Sequence, residues 1–264
     1  MTDFKSLQEL AIRIATEAGQ LLLKRPSSFE LDEKSGALDF ATQMDHASEE
    51  LIISSIRKAR PDDGILGEEG GAVSGTSGIT WVIDPIDGTV NYLYGIPSWC
   101  VSIAIKDSQG PIVGVVTAPA IGLTWSAARG EGATCNGSVI RCNDPISLDK
   151  ALIATGFSYD RERRKRQADF VAALLPRVRD IRRMGACAVD IAMVASGMVD
   201  AHFESGVNEW DHAAAALIAQ EAGALVTVRE GIWHGEKNFV LVAGPALHAD
   251  LSQELGSYLG QPLG

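Results

Sequence analysis

Asp84 and Asp87 stand three residues apart in the stretch WVIDPIDGTVN, residues 81–91, with Gly88 and Thr89 directly after them. The Trp-Val-Ile run before them reads as a buried strand, a costly place for two carboxylates unless something compensates their charge. Alone, the segment reads as a turn: aspartate suits turns, Pro85 presets φ, and glycine accepts a left-handed conformation. The residues that follow predict a short helix start, Thr89 to Tyr92, whose free N–H groups at Gly88 and Thr89 would attract an anion. An anion site beside two carboxylates is repulsive unless a cation lies between them. The combination points to a divalent metal bridging carboxylates and a phosphate, as Mg2+ does.

Two further segments extend the set. Glu68 and Glu69 end the short apolar strand of GILGEEGG, and Asp211 opens the otherwise apolar helix of VNEWDHAAAALIAQEAG. Each has an ordinary reading by itself: exposed glutamates after a strand, and an aspartate favoured by the helix dipole. Trp210 and the alanine run nonetheless predict a buried helix start, where a carboxylate needs a cation or several donors. Together, Glu68, Asp84, Asp87 and Asp211 all fall at strand ends or helix starts. Oxygen ligands without histidine or cysteine select Mg2+, Mn2+ or Ca2+ over zinc. Two such cations close together would suit in-line phosphoryl transfer to water. The chain has no G-x-S-x-G elbow, no loop cysteine beside a basic cluster and no G-x-x-x-x-G-K-[ST] phosphate loop, so neither a covalent nucleophile nor that kind of nucleotide hydrolysis is indicated.

These residues need elements to hold them. Apolar positions Phe4, Leu7, Ala11, Ile14, Ala18 and Leu21 predict an amphipathic helix over residues 4–23. RPSSFELDEKSGALDFATQ breaks that period and reads as a loop or loose hairpin. A second helix follows from about Asp45 to Arg60, ended by Pro61. DDGILGEEGG reads as a short strand and AVSGTSG as a surface turn. From Ile79 to Asn136, ITWVIDPI, SWCVSIAI, PIVGVVTAP and LTWSAA read as strands of an antiparallel meander. EGATCNGSVI reads as a hairpin with Asn136-Gly137 at its turn. After Ser147 the two element types alternate. ALIATGF, VRDIRR, VDAHFESG and NFVLVAG read as strands; RERRKRQADFVAALLPRV, CAVDIAMVASG, WDHAAAALIAQEAGA and PALHADLSQELGSYL read as helices. WHGEKN reads as a hairpin turn. The result is an α+β N-terminal half over residues 1–145, holding an antiparallel sheet and most candidate ligands, and an α/β C-terminal half over 146–264 that supplies Asp211.

Composition narrows the classes. With 264 residues, 46% hydrophobic and 22% charged, the chain can bury the core of one large domain or of two packed halves. A formal net charge of −11 argues against a nucleic-acid partner. The charged N-terminus MTDFKSLQELAIRIA does not read as a signal peptide, and no apolar window is long enough for a membrane span, so a cytoplasmic location is expected. Cys100, Cys135, Cys142 and Cys187 include no C-x-x-C pair, which argues against zinc and for reduced cysteines that pack. His46, His202, His212, His234 and His248 form no H-E-x-x-H pattern and read as surface or hydrogen-bonded side chains. Arg161 to Gln167, RERRKRQ, is a dense basic cluster; a solvated helix face, substrate capture and docking to an acidic partner all fit it.

GEEGG, WVIDPIDGTVN and VNEWDHAAAALIAQEAGA, taken together, resemble the three signature regions of the inositol monophosphatase family, and the likeness runs from the first helix to NFVLVAG. GFSYDRERRKRQADFVAALLPRVRDIRRMG is most similar to the actinobacterial members. The resemblance implies an α/β fold, a layered α-β-α-β-α sandwich of the inositol monophosphatase and fructose-1,6-bisphosphatase type, assembled as a homodimer. It implies that Glu68, Asp84 and the Ile86 carbonyl hold a first Mg2+, and that Asp84, Asp87 and Asp211 hold a second. A third, weaker Mg2+ would sit near Glu68, giving two to three per site, with Mn2+ as a substitute. Gly88 and Thr89 would donate to the phosphate, and the Thr89 hydroxyl with Asp45 would orient and deprotonate the attacking water. Glu204 would bind a substrate hydroxyl, and Lys34, in a mobile loop, would lie near the third metal. Gly185, Ala186 and Cys187 stand where the family usually has Gly-Ser-Ala or Gly-Thr-Ala, in the wall that meets the sugar, so a hydroxyl is missing at Ala186.

The expectation is therefore a lithium-sensitive, Mg2+-dependent phosphatase acting on a small phosphorylated metabolite, myo-inositol 1-phosphate first. Histidinol phosphate, fructose 1,6-bisphosphate and phosphoadenosine phosphate are the alternatives on the same scaffold. A binding module that kept the fold without catalysis fits less well, because a retired site tends to lose ligands.

Overall fold

The computed structural model describes residues 3–36, 39–230, 238–259 and 263. The first apolar stripe folds as α1 (Phe4–Leu22), capped by Asp3 and burying Leu7, Ala11, Ile14, Ala18 and Leu22. The segment expected as a loop or loose hairpin pairs as an antiparallel hairpin, β1 (Leu31–Gly36) with β2 (Asp39–Thr42). Lys34 therefore sits on a strand rather than in a mobile loop. Helix α2 (Gln43–Ala59) starts in a capping box, in which the Thr42 hydroxyl accepts from a helix N–H and the Asp45 carboxylate accepts from the Thr42 N–H.

Next come β3 (Gly64–Gly67), β4 (Gly71–Val73), β5 (Thr80–Asp87), the short α3 (Thr89–Tyr94), β6 (Cys100–Asp107), β7 (Gly110–Ala118), β8 (Leu123–Ala128), β9 (Ala133–Cys135) and β10 (Ser138–Val139). They form one sheet in the order β10-β9-β8-β7-β6-β5-β3-β4. From β5 to β10 it is the expected antiparallel meander, and β9 and β10 turn at Asn136 and Gly137, both at positive φ. One expectation fails here: part of AVSGTSG, read as a turn, pairs as β4. Strand β3, for which no pairing was expected, runs parallel to β5.

The C-terminal part contributes β11 (Leu152–Thr155), α4 (Arg161–Leu174), β12 (Asp180–Arg182), α5 (Cys187–Ala195), β13 (Ala201–Val207), α6 (Glu209–Glu221), β14 (Leu225–Glu230), β15 (Asn238–Ala243) and α7 (Pro245–Leu259). Its sheet has the order β12-β11-β13-β15-β14. Strand β14 has no counterpart in the sequence reading: LVTVRE is mostly exposed, so no buried run announces it. The turn expected at WHGEKN, with His234, falls on residues 231–237, outside the described residues but for Asn238.

The layers follow from which faces are apolar. Strand β5 is buried on both sides: Trp81 and Ile83 pack with α1 and α2, while Val82 packs with α5 and α6. That is why its sequence is a continuous apolar run rather than an alternation. Helices α5 and α6 fill the space between the two sheets, with Ala188, Ile191 and Ala192 beside Ala214, Ala215 and Ile218. Alanines permit the close approach: a side chain on Gly114 would overlap the Ala214 carbonyl. Strand β15 alternates, sending Val240 and Val242 inward and Phe239 and Leu241 outward to α4 and α7. The order helix, sheet, helix, sheet, helix is the layered sandwich expected. Truncating the fully buried Ile83 to alanine should cost about 2–5 kcal/mol. Among the described residues no helix is long and apolar enough to cross a membrane.

Candidate active site

Strands β3, β5 and β13 and the first turns of α3, α5 and α6 converge on a cleft of about 480 Å³. Glu68, Asp84, Ile86, Asp87, Gly88, Thr89, Gly185, Cys187, Glu204 and Asp211 all border it, as does Lys34. Ala186 does not: it is 2% exposed and supports Gly88 from below, where a Gly88 side chain would come within 3.1 Å of it.

A β-bulge explains how two aspartates three residues apart reach one cavity. In a regular strand residues i and i+3 face opposite sides. Asp84 pairs with Ser102 but Asp87 pairs with Cys100, so three steps on β5 oppose two on β6. The extra residue turns both carboxylates to the same side. Pro85 is fixed from behind by the Ser48 hydroxyl, which donates to its carbonyl at 3.1 Å. The Ile86 side chain stays in the core with α1 and α2, leaving its backbone to border the cleft. Gly88 then takes φ +91°, and any side chain there would also press on the Ser98 carbonyl at 2.9 Å.

Each carboxylate has its own mount. Asp87 is gripped by the start of α5: the Cys187 N–H donates to one oxygen at 3.1 Å and the Ala188 N–H to the other at 2.7 Å. Asp211 is the third residue of α6 and accepts from the Asn208 N–H at 2.5 Å. Its ordinary reading as a helix-start residue thus holds as well, since one oxygen caps the helix. Asp45 does the same for α2. Its Oδ2 accepts from the Thr42 N–H at 2.7 Å and the Thr42 hydroxyl at 2.6 Å, and its Oδ1 accepts from the Thr89 hydroxyl at 3.0 Å. The Thr89 hydroxyl has the Ile86 carbonyl as a second acceptor at 3.0 Å. Asp45 is fully buried and does not border the cleft; its connection to the cleft is the Thr89 hydroxyl.

The electrostatics are set by burial and by the crowding of carboxylates. Burial raises the pKa of Asp84 well above the usual range, and the charges of Glu68, Asp87 and Asp211 raise it further. Asp211 is raised in the same way by burial and by Glu68, Asp87 and Glu204. Asp87 is pushed to about 6 by burial, against the two α5 N–H donors. Glu68 is raised by burial, offset by Lys34. Carboxylates crowded in this way do not all stay ionised without a counter-charge. Lys34 supplies one positive charge, 2.8 Å from Glu68 and 2.5 Å from Glu69. The all-oxygen donor set of Glu68, Asp84, Asp87 and Asp211 fits hard divalent ions of the Mg2+ type.

Glu204 reaches the cleft past Gly156, whose missing side chain makes the room. Burial pushes it to about 7, with Arg183 pulling it down. Arg183, Asp190 and Arg163 also border the cleft and were not singled out from sequence. Asp190 had a signal, a lone charge inside the apolar CAVDIAMVA. Arg163 belongs to the basic cluster, so part of that cluster faces the cleft rather than solvent alone.

The inositol monophosphatase family profile matches residues 3–259. The inositol-1-monophosphatase SuhB of Mycobacterium tuberculosis is 41% identical over 236 residues, covering 86% of this chain and 81% of that protein. The protein named Nus factor SuhB in Escherichia coli K12 is 39% identical over 223 residues, 83% of each chain. The crystal structure of extragenic suppressor protein suhB from Bartonella henselae superposes with a TM-score of 0.88 at 30% identity, over 95% of this chain and 98% of that one. The layered fold, the whole-length match and these relatives place the chain in the inositol monophosphatase family of phosphomonoesterases.

Proposed function

We propose that this chain hydrolyses a phosphate monoester on a small polyol, myo-inositol 1-phosphate in the first place, with Mg2+ as its cofactor. The observation that carries the reading is the β5 bulge, which aims Asp84 and Asp87 at Glu68 and Asp211 in one cleft beside the Thr89–Asp45 pair. Glu68, Asp84 and Asp87 with Asp211 would hold the metal, the Ile86 carbonyl adding a neutral oxygen. Bound Mg2+ neutralises the dianionic ester and activates water.

The chain's own residues do the rest. The backbone N–H groups at Gly88 and Thr89, which border the cleft, would donate to the phosphoryl oxygens and steady them. The Thr89 hydroxyl orients the attacking water and passes a proton to Asp45 Oδ1, whose raised pKa, set mainly by burial, suits a proton acceptor. Arg163 and Arg183 add positive charge at the wall and favour an anionic ester. Glu204 accepts from a substrate hydroxyl. Ala186 lies too deep to touch the sugar, so the absent hydroxyl there bears on how Gly88 is supported. Dimerisation and lithium sensitivity, both implied by the family, belong to the same proposal.

The test is a substrate panel with the full-length protein. Phosphate release from inositol 1-phosphate should exceed that from histidinol phosphate, fructose 1,6-bisphosphate and a nucleotide in kcat/KM. EDTA should abolish release and excess Mg2+ should restore it. Release that persists in EDTA would refute the metal-dependent mechanism.

A further inference from the structure

Beside the carboxylate cluster lies a second, chemically different group of donors. Cys187 opens α5, and His202 and Glu204 alternate on β13, so the two strand residues share a face. Cys187 Sγ is 3.7 Å from His202 Nε2, and His202 Nε2 is 3.6 Å from Glu204 Oε2. One donor atom from each of the three lies within 4.8 Å of the others. Tetrahedral zinc with ordinary bond lengths would place sulfur and nitrogen about 3.6 Å apart, and nitrogen and oxygen about 3.4 Å apart. Two of the three spacings are already close to those values, and the third, Cys187 to Glu204, lies within 4.8 Å.

A second observation comes from the far side of the imidazole. His202 is fully buried, and its Nδ1 has no hydrogen-bond partner among the described residues. That nitrogen faces Asp190 Oδ2 at 3.8 Å, and Asp190 is 1% exposed with its other oxygen unpartnered. Asp190 stands one turn after Cys187 on α5, on the same helix face. A carboxylate behind a histidine whose other nitrogen points at a thiol and a carboxylate is the arrangement that orients zinc-binding histidines.

We propose that Cys187, His202 and Glu204 form a binding site for one zinc ion in the wall of the cleft, with Asp190 as the positioning residue for His202. The fourth position opens into the cleft, which Cys187 and Glu204 both border. Thiolate and imidazole prefer zinc to the hard ions suited to the carboxylate cluster, so the two sites divide the metals by ligand chemistry. Zinc binding would release the thiol proton as the Zn–S bond forms. The absence of C-x-x-C spacing, which argued against zinc, does not bear on donors brought together from a helix start and a strand face. The site shares Glu204 with the substrate contact proposed above, and its test therefore reads metal binding rather than turnover.

The experiment uses the full-length protein, stripped with chelator, returned to saturating Mg2+ to fill oxygen sites, and titrated with Zn2+ or with Co2+ as its spectroscopic stand-in. One zinc should bind per chain without displacement by Mg2+, and Co2+ should give a thiolate-to-metal charge-transfer band. Cys187→Ser should remove that band, His202→Phe should abolish tight binding, and Asp190→Asn should weaken it about 10–100-fold. Cys142→Ser should leave all three readouts unchanged. If Cys187→Ser does not fold, loss of tight Zn2+ binding in His202→Gln tests the site instead. A wild-type chain without the charge-transfer band, or variants that bind zinc as tightly as wild type, would overturn the proposal and leave Cys187 and His202 as a simple thiol–imidazole hydrogen bond. Because the readout is metal binding, its result is independent of whether phosphate release is observed.

Discussion

On the proposed proton path, Asp45 would serve helix stability and catalysis through different oxygens, and the two contributions can be separated. Oδ2 accepts both donors of Thr42, while Oδ1 accepts only the Thr89 hydroxyl. Thr42→Ala removes the cap but leaves Oδ1 and Thr89 in place; it should cost about 0.5–2 kcal/mol of stability with little change in kcat. Thr89→Val removes the hydroxyl but not the cap, since Thr89 contributes nothing to the start of α2. It should lower kcat about 10²–10⁴-fold, the usual range for a lost proton-transfer group. That loss corresponds to about 2.7–5.5 kcal/mol of barrier. Asp45→Asn can keep its oxygen on the Thr42 donors and turn its amide nitrogen to the Thr89 hydroxyl, which then donates to the Ile86 carbonyl. It should therefore lose the proton acceptor, and slow like Thr89→Val, with a smaller stability loss than Thr42→Ala. Urea denaturation and steady-state phosphate release on the same samples resolve the two effects. A Thr89→Val enzyme with near-wild-type kcat would refute the proton path, and so would an Asp45→Asn enzyme no slower than Thr42→Ala.

Three other outcomes follow from single contacts. Asp87→Asn should silence hydrolysis while leaving a folded protein by circular dichroism, because one oxygen still accepts from α5; near-wild-type turnover would sink the two-metal assignment. Gly88→Ala should lower both kcat and melting temperature, since the residue would be held at φ +91° against the Ser98 carbonyl and Ala186. The strain alone is worth about 1–3 kcal/mol, so an unchanged melting temperature would count against this account of the turn. Asp63 provides a pH test far from the cleft. Burial opposes its ionisation, but hydrogen bonds from Arg60, Ser77 and the Trp81 indole outweigh that and hold its pKa below the usual range. A depressed carboxylate stabilises the fold above its unfolded value, near 3.9, and that stability is lost as pH falls through the folded pKa. Asp63→Asn should remove part of the acid sensitivity of unfolding below about pH 4; an identical profile in the variant would exclude Asp63 as a contributor.

Much of this was legible in the sequence because it is local. Apolar period gave α1 and the strands of the meander, Asn136-Gly137 gave its hairpin, and Asp-Pro-Ile-Asp-Gly-Thr marked a rigid strand end carrying oxygen donors. The expected site residues border one cleft, apart from the buried Asp45 and Ala186. What the sequence could not supply is which distant segments meet. The parallel pairing of β3 with β5, which sets Glu68 beside Asp84, depends on a crossover that no local pattern encodes. The bulge that aligns Asp84 with Asp87 exists only because β6 pairs with β5 in that register. The hold of α5 on Asp87 joins residues a hundred positions apart. None of Cys187, His202, Glu204 and Asp190 read as a metal ligand from sequence, since a coordination site is a relation between side chains across two elements. Residue types and short spacings are fixed by the chain itself, whereas the meeting of helix starts with strand ends is decided when the two sheets close on α5 and α6, because only burial between them brings those donors within bonding distance.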